Sequence, residues 1–139
     1  KTDVYCGIHV PAGDTLTLTD DLVCTKNGGG GSIDAVAITL GEGAKLHCNG
    51  HSIIRMNYES EFDLWGKTGV KLESGASVKD CKVFDWENGS LIAPPPGGYA
   101  EDEEISLEGF EASNNEYGLR VDVAQEADVV NLSIKDRCV

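Results

Sequence analysis

Apolar and polar residues alternate in short runs along this chain, and no stretch sustains the 3.6-residue apolar spacing of an amphipathic helix. The runs are rich in Val, Ile, Leu and Thr and are punctuated by Gly, Asn and Asp. That is the pattern of short β-strands joined by turns, so the fold class is all-β. Residues 45–54, KLHCNGHSII, show the unit most clearly: a strand, a tight turn at Asn49-Gly50, and a second strand. Leu46, Cys48 and Ile53 take its inward positions, and Gly50 makes the bend. Near the start, Pro11, Gly13 and Asp14 mark a turn. Residues 15–19 then alternate, with Leu16 and Leu18 on one face and Thr15, Thr17 and Thr19 on the other.

From Ala35 onward the unit repeats. AVAITL (35–40), GVKLES (69–74), GSLIAP (89–94) and GLRVDV (118–123) read as one strand position. AKLHCNG (44–50), ASVKD (76–80), EISLEG (104–109) and ADVVN (127–131) read as a second. HSII (51–54), CKVFD (81–85), FEAS (110–113) and LSIKD (132–136) read as a third. Gly50, Asp80, Gly109 and Asn131 fall at the bend between the second and third positions, with spacings of 30, 29 and 22 residues. The shortest approaches one bare turn of a solenoid. Excursions at 55–68 and 93–103, which leave the coil at different corners, account for the longer two. Each repeat buries a strip against the next, giving one stacked core. The prediction is a single domain over 1–139: a disulfide-closed lead-in and loop over 1–34, then coils over 35–139.

Charge and cysteine content narrow the partners. The 139 residues carry a formal net charge of −13, with 11 Lys and Arg scattered among 24 Asp and Glu. Nucleic acid and anionic membranes are repelled by such a field, and no apolar run reaches the length of a membrane span. Five cysteines lack the CxxC spacing of zinc and redox motifs. Cys6 and Cys24 flank a short segment and are read as a disulfide, which implies an oxidising compartment and a secreted or cell-surface protein. Cys48 and Cys81 sit in strand-like runs, as buried thiols or as a bonded pair. Cys138 is the odd cysteine, unpaired or bonded to a partner elsewhere.

Several motifs resemble the pectin-lyase-like superfamily. CG…DTLTLTDDLVC is similar to the "C-G…T-L-T-x-D-L-x-C" opening of its secreted members, and GEGAKLHCNGHSII to the "G-x-x-L-D-L-N-G-H-x-I" first coil. ASVKDCKVFD and EYGLRV…VVNLSIKD resemble its later coils. The resemblance implies a right-handed parallel β-helix, here of about four to five coils. It spans lyases, hydrolases, epimerases and non-catalytic surface proteins, so it carries no single activity. Enzymes of the superfamily usually have many more coils, because a groove for a sugar polymer spans several rungs.

Candidate chemistry is sparse. Asp80 and Asp85 flank a strand and are the available carboxylate pair for hydrolysis. Arg55, Lys79, Lys82 and Arg120 are the available bases for an elimination of the lyase type, and none lies in a motif of such enzymes. Alternating Glu59, Glu61 and Asp63, with Glu101 and Asp102, are the oxygen donors a calcium ion would use; otherwise no cofactor is expected. Tyr58, Phe62, Trp65, Trp86 and Tyr99 are rings suited to stacking on a sugar. Asn88 and Asn131 begin N-glycosylation sequons, with Asn88 read as lying in a loop. The expected function is a non-catalytic module that contacts carbohydrate or assembles with its own copies, through an open last coil or Cys138. The alternatives are a carbohydrate-active enzyme and a purely structural stacking unit.

Overall fold

A computed structural model describes residues 2–27, 35–55, 66–93, 104–122 and 132–135. They form fifteen short strands and, among the described residues, no helix. In chain order these are β1 (Thr2–Cys6), β2 (Ile8–Val10), β3 (Thr15–Thr17), β4 (Leu22–Asn27) and β5 (Ala35–Leu40). Next come β6 (Lys45–His47), β7 (Ser52–Arg55), β8 (Gly66–Leu72), β9 (Ser77–Lys79) and β10 (Lys82–Phe84). The last five are β11 (Asn88–Ile92), β12 (Ile105–Glu108), β13 (Glu111–Ser113), β14 (Tyr117–Val121) and β15 (Leu132–Lys135).

The strands are dealt into three five-stranded sheets in strict rotation. Sheet A is β1-β4-β7-β10-β13, sheet B is β2-β5-β8-β11-β14, and sheet C is β3-β6-β9-β12-β15. Every strand pairs in parallel with the one three places on. Each A–B–C round is therefore one coil stacked on the last, an arrangement consistent with a parallel β-solenoid. The bare coil is 20 residues, seen where Val70 faces Ser90 and where Val4 faces Cys24.

Register lines the inward residues into columns. Leu16, Leu46, Val78, Leu107 and Ile134 form one. Val10, Leu40, Leu72, Ile92 and Val121 form another. Leu22, Ile53, Val83 and Ala112 form a third. The middle members of each are fully buried. A period of two keeps alternate residues on one face, so a short strand with two or three apolar positions suffices to build the column.

Two expectations change. The coils begin within the lead-in expected over 1–34: β1, β2 and β3 already contribute one strand to each sheet, and β4 begins the next round. LSIK was expected at the third strand position, but β15 lies in sheet C, with Ile134 opposite Leu107 and Lys135 opposite Glu108. The alternation of LSIK suits either sheet, and the neighbouring coil decides which one it joins. ADVVN (127–130 and Asn131) lies outside the described residues.

Bends follow left-handed backbone. At the corner from sheet C to sheet A, Asn49, Gly50, Asp80 and Gly109 have φ of 53°, 83°, 54° and 60°. A second corner, from A to B, uses Asp85 at 69° and Asn114 at 54°. Asn and Asp tolerate this region better than other residues with a Cβ, because their side chains bond locally. Gly109 has a further reason: an added Cβ would run into the Asp80 carboxylate of the preceding coil.

Candidate functional site

The corner at the start of β10 is tied by a disulfide. Cys48 and Cys81 are both fully buried and are bonded to each other, joining adjacent coils across 33 residues of sequence. This resolves the open choice between buried thiols and a bonded pair. Cys24 is also disulfide-bonded; the side chain of Cys6, its expected partner, lies outside the described residues, as does Cys138. At the same corner His51 Nδ1 stands 3.4 Å from Asp21 Oδ1, and the same oxygen accepts the Ser52 N–H at 2.9 Å. The pair is half-exposed and holds neighbouring coils together.

Of the sequence-derived catalytic candidates, Arg55 and Asp85 end adjacent strands of sheet A, one residue beyond the Ile54–Phe84 pair, while Asp80 lies at another corner. Asp80 and Asp85 are exposed, at opposite ends of β10 and on different corners. Both occupy left-handed bends, so backbone geometry accounts for their residue type. Arg55 is buried at the end of β7. Among the described residues no group of three or more His, Cys, Asp and Glu is placed to hold a metal ion. The calcium candidates Glu59, Glu61, Asp63, Glu101 and Asp102 lie outside the described residues, as do the rings Tyr58, Phe62, Trp65 and Tyr99.

Trp86, the one candidate ring among the described residues, is a core residue. It is 4% exposed, and its indole Nε1 donates to the Ile53 carbonyl of the preceding coil at 3.1 Å. It offers no face to a sugar. Close backbone approach makes room for it: a Cβ on Gly69 would lie 3.2 Å from the Trp86 ring and 2.8 Å from the Gly89 carbonyl. Asn115, which the sequence reading missed, locks the same corner. Its Oδ1 accepts the Trp86 N–H at 2.9 Å, and its Nδ2 donates to the Val83 carbonyl at 3.0 Å. The signal for it was the Asn114-Asn115 pair falling where the previous coil has Asp85-Trp86.

Asn88 is likewise not a loop residue. It opens β11, is 4% exposed, and donates through Nδ2 to Thr68 Oγ1 at 3.3 Å. The nitrogen that would carry a glycan is therefore enclosed, and its Oδ1 has no hydrogen-bond partner.

The feature that stands out from this filled stack is its last coil. Tyr117, Val121 and Ile134 are 48%, 42% and 51% exposed, and they are the large apolar side chains that stand exposed among the described residues. All three belong to β14 and β15. Val121 and Ile134 continue columns whose inner members are buried. Among the described residues β13, β14 and β15 are also outer strands of their sheets, and edge strands present backbone donors and acceptors for further pairing. Their alternation looks the same in sequence as that of the inner strands.

No protein-family model, no curated protein and no solved structure matches this chain.

Proposed function

We propose that this chain is a right-handed parallel β-helix of the pectin-lyase-like type that works as a non-catalytic secreted or cell-surface module and docks through its last coil. The exposed apolar end formed by Tyr117, Val121 and Ile134 carries the reading. Right-handedness follows from the rule that about 98% of parallel β-crossover-β connections have that hand. Closure of the three sheets around one core is supported by inward columns that fill from all three sides. The superfamily assignment rests on the motifs CG…DTLTLTDDLVC and GEGAKLHCNGHSII. A buried disulfide between adjacent coils supports an oxidising compartment.

The non-catalytic reading is supported by the placement of Asp80 and Asp85 at opposite ends of β10, on different corners. General acid–base chemistry on a glycosidic bond requires two carboxyl groups about 5–9.5 Å apart across the bond. Incubation with a panel of neutral and acidic polysaccharides tests it: no new reducing ends and no unsaturated uronates are expected, and release of either would overturn it. A glycan array run beside it checks carbohydrate as a docking partner.

A further inference from the structure

Asn-Gly is the dipeptide step most prone to lose its side-chain amide, because glycine leaves the next backbone nitrogen unhindered. That nitrogen gives its proton to a solvent base and attacks the asparagine Cγ. The N–Cγ bond forms, the Cγ–Nδ2 bond breaks, the amide nitrogen leaves as ammonia, and water opens the cyclic imide to aspartate or isoaspartate. This chain holds three such steps, at 27–28, 49–50 and 88–89. Asn88 is enclosed in β11, whereas Asn49 and Gly50 are exposed at the corner from sheet C to sheet A. On exposure alone, Asn49 is open to the reaction.

The corner opposes it at each group the reaction uses. Residues 48–51 form a turn closed by the His51 N–H on the Cys48 carbonyl at 2.9 Å. Its central residues have φ of 53° and 83°, the doubly left-handed geometry that Asn-Gly favours in tight turns. The nucleophile is engaged, because the Gly50 N–H donates to the Asp80 carbonyl of the following coil at 2.8 Å. The group to be expelled is engaged as well: Asn49 Nδ2 donates to the Leu18 carbonyl of the preceding coil at 3.4 Å. The two are thus drawn in opposite directions along the stack, and they meet only when the corner opens.

The disulfide sits on both halves of this arrangement. Cys48 directly precedes Asn49, and Cys81 directly follows Asp80. Their bond therefore clamps the turn against the residue that accepts its Gly50 N–H. We propose that Asn49 is a gated deamidation site, closed while the Cys48–Cys81 bond holds the corner and open once that bond is lost. Conversion is one-way. Isoaspartate adds a methylene to the main chain, so the turn no longer sets β6 and β7 in register with the coils on either side. A chain that has lost the bond is thereby marked and kept from restacking.

Peptide mapping by mass spectrometry during incubation in mildly alkaline buffer tests the gate. Asn49 is expected to stay an amide in the native chain and to convert rapidly in the same chain unfolded in urea. Equal rates in the two overturn the proposal. In Cys48→Ala/Cys81→Ala the rate is expected to rise at least about tenfold over the native chain, with the circular dichroism of the folded protein. A folded double variant that converts at the native rate overturns the role of the bond. If the double variant does not fold, amide hydrogen exchange on the native chain decides. The Gly50 N–H is then expected to be protected, and its exchange and Asn49 conversion are expected to speed up together as urea rises below the unfolding transition. A Gly50 N–H that exchanges freely in the native chain, or a conversion rate that does not follow its opening, overturns the gate.

Discussion

Trp86 shows how one side chain can be misjudged from its position between strands. A large ring after a strand end reads as an exposed platform, yet here it turns back over the preceding coil. There it finds both an apolar bed beside Gly69 and an acceptor in the Ile53 carbonyl. Trp86→Ala is expected to cost about 3–5 kcal/mol in urea unfolding, the range for a large aromatic removed from a core. Asn115→Ala removes both of its corner hydrogen bonds and leaves a donor and an acceptor unmet, for an expected loss of about 2–4 kcal/mol. Asn115→Asp should recover the bond to the Trp86 N–H but not the one to Val83, and fall between the two in the same measurement. At Asn88 the expected outcome is an unmodified peptide by mass spectrometry of the secreted protein, because a glycan there would have to enter the stack.

At the scale of strands and corners, alternation made most elements legible. The assignments of AVAITL, GVKLES, GSLIAP and GLRVDV to one sheet are those of β5, β8, β11 and β14. The bend residues Gly50, Asp80 and Gly109 do have left-handed backbone. The A-to-B corner was harder to read. In earlier coils it carries residues 28–34 and 56–65 between strands, whereas in later coils it is reduced to residues 85–87 and 114–116. Long connections then shift to the B-to-C corner, at 94–103 and 123–131. A bend spacing of 22 residues therefore mistook the next coil's C strand for an A strand, and β15 was misplaced. The Cys48–Cys81 bond closes a 33-residue segment, so replacing both with Ala is expected to lower stability by about 3–4 kcal/mol in chemical denaturation. Both sulfurs are shielded from solvent, so the bond should resist dithiothreitol until the chain unfolds.

For the whole molecule, charge and end geometry act against each other. A net charge of −13 opposes association with acidic partners, a second copy included, while the exposed Tyr117, Val121 and Ile134 favour docking. Screening weakens the first and leaves the second almost unchanged: the Debye length falls from about 30 Å at 0.01 M to about 8 Å at 0.15 M. Docking of an acidic partner through Tyr117, Val121 and Ile134, followed by sedimentation, is therefore expected to tighten as sodium chloride rises over that range. A dissociation constant that grows with salt would show that ion pairs, not the apolar residues, hold the partner.

The sequence by itself determined the all-β class, the coil repeat and most strand positions, because a period of two and left-handed bend residues are local properties. Tertiary structure decided what depends on the neighbouring coil. Among these are the burial of Trp86 and Asn88, the bond between Cys48 and Cys81, the role of Asn115 and the sheet that β15 joins. Each is set by contacts between residues about one coil apart, for which no local pattern carries a signal. The exposure of Tyr117, Val121 and Ile134 belongs with them: the same alternation is buried in the inner strands and exposed in β14 and β15.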